Sequence, residues 1–218
     1  MLNRRIKQMW WSERGITGIE TAIILIAFVV VAAVFAYTAL SAGLFATQES
    51  QESIYSGLKS VQSTLELKGS VTATANNTGN NGHIKQISFI VANVLGGEPL
   101  DFTAPDEDAS NNGTAASTST NKVVINYIDQ YQKVSNLFWT FTPLGNDNGN
   151  QMLEQNERFE ITVGSTTPGQ DGGNLIDALD PDLGINTTFT LEMLTPAGAV
   201  LIIPRTIPGS VDQVINLH

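Results

Sequence analysis

The stretch from Ala22 to Phe45 constrains this chain more than any other, because it runs almost without interruption through Ala, Ile, Leu, Val and Phe. At 1.5 Å per residue, about 24 residues make roughly 36 Å of helix, enough to span the hydrocarbon core of a bilayer. A helix apolar on every side must be buried by something larger than itself. Two features beside the run shape what that something is. Arg4, Arg5, Lys7 and Arg14 all precede it, and Glu20 stands two residues before its start. Lys and Arg stay on the cytoplasmic side of a membrane, so the basic leader predicts that everything after Phe45 lies outside the cell.

The order of signals is not that of an ordinary secretory leader, in which a small-residue cleavage site follows the apolar segment. Here the small residue next to a charge, Gly15, comes before the run, and Ala42-Gly43-Leu44-Phe45-Ala46 beyond it is a mediocre alternative. A cut between Gly15 and Ile16 would leave the helix on the mature protein. The competing reading is an N-terminal anchor that is never cut. Glu20 bears on the choice. A carboxylate carried to the bilayer centre costs on the order of 2.5–3.5 kcal/mol, and a new α-amino group at Ile16 of a neighbouring copy would pair with it. Its plainer role is a helix N-terminal acid favoured by the dipole.

Downstream, Ile54, Leu58, Val61 and Leu65 follow at spacings of four, three and four, and no proline occurs before Pro99. This pattern predicts one helix from Ile16 to Lys68, roughly 80 Å long, closed by Gly69 as C-cap. Within its first half Ala32, Ala36, Ala39 and Gly43 place small residues on one face, where other helices could approach closely. Alanine is also simply a good helix former.

From Gly69 onward the pattern shortens to runs of Val, Ile, Thr and aromatics separated by Gly, Asn and Asp. Strands are predicted at 70–75, 84–95, 122–128, 137–142, 158–163, 187–194 and 199–204. Thr195-Pro196-Ala197-Gly198 has the residues of a type I turn and predicts a hairpin between the last two. The fold class is therefore α+β, a long N-terminal helix followed by an antiparallel β-sandwich or barrel. The organisation is a removable leader at 1–15, the helix at 16–68 and an external β-domain at 69–218.

The composition excludes several functions. The chain of 218 residues has a formal net charge of −10, and its leader carries Arg4, Arg5, Lys7 and Arg14 against only Glu13, so everything after Gly15 is more acidic still, which argues against nucleic acid as partner. It has no cysteine, so disulfide and thiolate-metal frameworks are ruled out. No serine stands in a Gly-x-Ser-x-Gly elbow, no nucleotide-binding Gly-x-x-x-x-Gly-Lys loop occurs, and acidic pairs such as Glu157 with Glu160 or Asp180 with Asp182 read as solvated surface. No enzyme activity and no cofactor are expected. A weak metal possibility lies in Asp147, Asn150 and Asp171, whose oxygen-rich loops could hold calcium, although Asn-Asp-Gly clusters are first of all turn formers. Asn76, Asn112 and Asn186 begin Asn-x-Thr acceptors for N-glycosylation.

Arg14-Gly15 followed by Ile16-Thr17-Gly18-Ile19-Glu20-Thr21-Ala22-Ile23 and the apolar run resembles the leader junction and N-terminal helix of the archaellins, the archaeal flagellins, within the type IV pilin-like superfamily. The likeness continues through Ser41 to Ala46 and, more faintly, through Glu157 to Ile161 and Gly198 to Thr206. It implies a class III signal peptide cut after Gly15 by a membrane prepilin peptidase. It also implies helices bundled into a filament core, an immunoglobulin-like β-domain as outer sheath, often glycosylated, and a separate ATP-driven motor. The function expected is a structural subunit of the archaeal swimming filament, a homo-oligomer or co-polymer with other archaellins on the cell surface, held in the membrane before assembly. An adhesive type IV-like pilin or a membrane-anchored extracellular binding module would share the leader and helix.

Overall fold

The computed structural model describes residues 2–62, 64–94 and 97–217, with side chains described from Gly18 to Lys59 and again from Thr64. Gly15 and Ile16 lie within helical backbone, but their side chains are outside the described residues. The chain divides into two compact units, 1–55 and 56–218.

Helix α1 spans Leu2–Gln62. It starts upstream of the predicted Ile16, since no proline or other strong breaker separates the leader from the apolar run. Its end corrects the sequence reading: residues 65–68 do not continue the helix but open strand β1, Leu65–Asn77. Leu65-Glu66-Leu67-Lys68 satisfies a helical stripe through Leu58 and Val61 as well as a two-residue alternation. The alternation wins because Leu65, 4 % exposed, enters the β-core and Leu67 packs against it. Gly69 is accordingly no helix cap. With φ +75° it carries the bulge at which β1 shifts register between Lys68 and Thr72.

The remaining elements are β2 His83–Asn93, β3 Leu100–Asp101, β4 Val124–Asp129, β5 Lys133–Val134, β6 Trp139–Leu144, β7 Met152–Leu153, β8 Arg158–Val163, α2 Leu175–Ala178, β9 Thr188–Leu194, β10 Val200–Thr206 and β11 Val214–Leu217. They form a five-stranded antiparallel sheet in the order β11-β1-β2-β8-β6, a four-stranded antiparallel sheet β10-β9-β4-β5, and the short pair β3-β7. The predicted hairpin is present. Gly198 N–H donates to the Thr195 carbonyl at 3.0 Å, and Gly198 takes φ +89°, a type I turn closed by a glycine bulge. Proline marks two edge strands, Pro143 in β6 and Pro204 in β10, where a missing ladder donor is tolerated and strand addition is blocked.

Alternation along the strands sends one face of each large sheet inward. Phe159, Ile161 and Val163 of β8 and Phe189, Leu191 and Met193 of β9 are buried in a single core shared by the two sheets. Phe102 stands edge-on to Trp139 at 6.0 Å and to Phe159 at 5.7 Å, and Tyr127 stacks on Phe189 at 5.8 Å. The Tyr127 hydroxyl leaves this core by donating to Asp129 Oδ2 at 2.8 Å. Burial and the Asp129 carboxylate push that phenol upward, so it stays a neutral donor.

Asp129 in turn ties the β4–β5 turn. Burial would raise its carboxyl, but the Tyr131 N–H, the Tyr127 hydroxyl and the Gln132 N–H outweigh that and hold it below its ordinary value of 3.8. A carboxylate depressed in the folded state stabilises fully above its unfolded pKa and loses that contribution as pH falls through the folded value. The β-domain should therefore weaken on acidification below about pH 4. Asp129→Asn should be less stable at pH 7 and show a flatter acid limb, as read from denaturation midpoints against pH.

Candidate functional site

The apolar side chains of α1 are exposed. Gly18–Lys59 is long and apolar enough to cross a membrane, and none of its most apolar window is buried. Among the described side chains, fifteen large apolar groups from Ile19 to Phe45 stand exposed, including Ile23, Phe28 at 74 %, Val34, Phe35 and Leu40. Burying each is worth about 1.5–3 kcal/mol, so together they represent on the order of 20–45 kcal/mol per copy. That exceeds the roughly 5–15 kcal/mol net stability of a whole domain. Such a helix is confined to lipid or to other helices.

The few polar groups in this stretch are compatible with either surrounding. The hydroxyls of Thr21, Thr38 and Thr47 donate to the carbonyls of Gly18, Phe35 and Gly43 at 3.0, 2.9 and 2.9 Å, so they need no outside partner. Ala32, Ala36, Ala39 and Gly43 fall within an arc of about 60° at 100° per residue. A Cβ added at Gly43 would meet nothing within 4 Å, so the face is open to close approach. Glu20 lies exposed two residues before the apolar run.

The other sequence candidates go to separate places. Asp147 and Asn150 occupy the β6–β7 turn, where Asn148 Oδ1 accepts from Asn150 N–H at 3.0 Å and Asn150 Oδ1 accepts from Met152 N–H at 2.7 Å. Asp171 lines a different cleft, next to Gln86 and Thr166. Its loop is the entry to a helix cap. Gly172 and Gly173 both take φ +83°, and Asn174, fully buried, caps α2 in a reciprocal capping box with Asp177. The structure thus does not bring Asp147 and Asn150 to Asp171. Among the described residues no three His, Cys, Asp or Glu side chains gather to hold a metal.

One acid of each pair has a structural partner, and Glu157 is buried, not solvated as the sequence reading expects. Glu157, buried, accepts from Glu154 N–H at 2.9 Å, and Asp182 contacts His83 Nδ1 at 2.9 Å. Asn76, Asn112 and Asn186 are not buried. Asn76 lies in β1, which runs on to Asn77. Asn112 Oδ1 accepts from the N–H and hydroxyl of Thr114 at 3.0 and 2.7 Å, and Asn186 sits in a turn with φ +54°.

What no sequence pattern singled out is the cross-links between loops. The Gln132 amide donates to the Pro181 carbonyl at 2.7 Å and accepts from Asp180 N–H at 3.0 Å, and Gly113 N–H donates to the Gly172 carbonyl at 3.0 Å. Clustered glycine and asparagine were the visible signal for the second. Nothing local announced the first.

The archaeal-type flagellin family model matches residues 15–205, beginning at the glycine of the sequence-predicted cut. The chain belongs to the archaeal-type flagellin family. "Probable flagellin 2" of Archaeoglobus fulgidus is 35 % identical over 204 residues, 91 % of each chain. The solved archaeal flagellum of Methanospirillum hungatei strain JF1 superposes with a TM-score of 0.58 at 29 % identity, over 92 % of this chain and 98 % of that one. Archaeal flagellin FlaB1 from Methanocaldococcus jannaschii shares the fold, with a TM-score of 0.50 at 12 % identity over 71 % of this chain and 96 % of that one.

Proposed function

We propose that this archaeal-type flagellin is a structural subunit of a surface filament used for swimming, polymerised through α1. The observation that carries the reading is the run of exposed apolar side chains along α1. Packing such helices against copies of themselves exchanges lipid for protein at little hydrophobic cost, so a membrane-held precursor can move into a filament core. The small-residue arc at Ala32, Ala36, Ala39 and Gly43 supports close helix approach within that core. The filament match supports assembly with copies of this chain or with other archaellins, and an extracellular location.

The finer steps extend the same reading. A prepilin peptidase removes residues 1–15, Glu20 pairs with the Ile16 amine of a neighbour, and a separate motor turns the filament. The accessibility of Asn76, Asn112 and Asn186 supports glycan attachment on the β-domain. Filaments sheared from cells and examined by N-terminal sequencing should yield this chain beginning at Ile16. A start at Met1, a start beyond Ala46, or absence of the chain from filaments would refute the assignment. Loss of swimming on deletion supports a motility filament, whereas retained swimming with lost surface attachment supports an adhesive pilin.

A further inference from the structure

Asparagine is followed by glycine at Asn81-Gly82, Asn112-Gly113 and Asn148-Gly149. Such a pair carries a reaction of its own. The glycine nitrogen can attack the side-chain amide carbon of the asparagine before it, because glycine has no Cβ to hold the two apart. A folded chain permits this only where the glycine N–H is free of a hydrogen bond, the backbone around it has room to turn, and the asparagine side chain folds back toward the glycine nitrogen.

Two of the pairs fail on the glycine side. Gly82 is buried, its N–H donates to the Gly79 carbonyl at 3.1 Å, and an added Cβ would stand 2.7 Å from Val211 Cβ. Gly113 is also buried, its N–H donates to the Gly172 carbonyl at 3.0 Å, and the Asn174 carbonyl oxygen would stand 2.2 Å from an added Cβ. Gly149 differs on each count. It is exposed, its N–H has no partner among the described residues, and nothing lies within 4 Å of an added Cβ. Asn148 Oδ1 accepts from the Asn150 N–H at 3.0 Å, closing a turn that brings its Cγ back toward the intervening nitrogen. The same N–H stands at the oxygen on which negative charge gathers during attack, as an oxyanion donor. Asn148 Nδ2 donates to Glu154 Oε2 at 2.9 Å, which fixes the way the amide faces.

We propose that Asn148 is a site of self-modification, at which the β-domain converts an amide to a carboxylate without an enzyme. Gly149 N gives its proton to water and bonds to Asn148 Cγ, closing a five-membered succinimide ring. The Cγ–Nδ2 bond breaks, and Nδ2 takes up a proton from water and leaves as ammonia. A second water adds to one of the two ring carbonyls and cleaves its bond to Gly149 N, which regains a proton. Opening at Cγ gives aspartate, and opening at the main-chain carbonyl gives isoaspartate. One water is consumed and one ammonia released, with no oxidation or reduction. The product alters the turn that made it. Asn148 lines a cleft with Asp147, Glu154 and Glu157, so the new carboxylate faces the Glu154 oxygen to which the amide had donated. Attraction becomes repulsion, and the β6–β7 turn loosens as a copy ages.

The full chain is incubated in mildly alkaline buffer, sampled over weeks and mapped by peptide mass spectrometry, which reads the exchange of NH2 for OH at each asparagine. Asn148 should convert at least about tenfold faster than Asn81 or Asn112, the order expected when one glycine nitrogen alone is placed and free to attack. In guanidinium chloride the three rates should converge. Gly149→Ala, whose methyl group meets nothing in the fold, should slow conversion at Asn148 at least about tenfold. Conversion at Asn81 or Asn112 that keeps pace with Asn148 overturns the proposal, as does the same order of rates in folded and unfolded chain. An undiminished rate in Gly149→Ala also overturns it, since the amide would then be hydrolysed directly and not through the ring.

Discussion

Replacing Gly173 by alanine should destabilise the β-domain by at least about 3 kcal/mol, enough to unfold a marginal domain at growth temperature. A Cβ on Gly173 would stand 2.2 Å from the Asn111 carbonyl oxygen and 2.3 Å from the Gly113 nitrogen, both backbone atoms. Neither can retreat cheaply, because Gly113 N–H donates to the Gly172 carbonyl, Phe138 N–H to that of Gly113, and Ser165 N–H to that of Gly173, at 3.0, 2.9 and 2.9 Å. Opening the approach breaks bonds that join two loops to the end of the five-stranded sheet. A positive φ adds its own penalty, and Gly149 separates the two contributions. It takes the same φ of +83°, yet an added Cβ there meets nothing within 4 Å. Gly149→Ala should lose only about 1 kcal/mol from conformation. Denaturant unfolding of the two variants measures the difference. Equal losses would mean that the close approach contributes nothing.

The same loops show why part of this molecule was legible in the sequence and part was not. Helix α1 and the strands β2, β4, β8, β9 and β10 announce themselves locally, since their periodicity matches the face each buries. The small-residue arc of α1 was equally legible, being set by residues a turn apart on one element. Boundaries decided by tertiary burial were not. Leu65 and Leu67 fit either period, and the core they enter chose the strand. Strands β3, β5 and β7, two residues each, are defined by their partners across the sheet and not by their own composition. Asp171-Gly172-Gly173-Asn174 was ambiguous in chemistry, because the residues that offer oxygens to a cation are the ones that make tight turns and helix caps.

Substitution of Gly15 by valine should eliminate this chain from filaments and leave it at full length in the membrane fraction, the largest effect expected of any single change here. The reading requires a cut after Gly15, and a β-branched residue in place of the smallest one obstructs a protease that accepts glycine. Charge then bars the uncut chain from the filament. Its leader keeps Arg4, Arg5, Lys7 and Arg14 on the end of the helix that is to enter an apolar bundle. Each cation costs about 2.5–3.5 kcal/mol at the centre of a hydrocarbon layer, so four approach the net stability of a whole domain. On the cytoplasmic side of a bilayer the same four charges sit in water at no such cost, and they hold the precursor where it was inserted. The uncut chain also lacks the Ile16 amine that the Glu20 carboxylate of a neighbour would meet. Glu20→Gln isolates that last contribution: it should leave cleavage intact, with the mature chain still beginning at Ile16, while reducing the amount entering filaments. Immunoblots of membrane and filament fractions with N-terminal sequencing distinguish these outcomes, and filaments built of uncut Gly15→Val chains would show that the leader is no barrier to assembly.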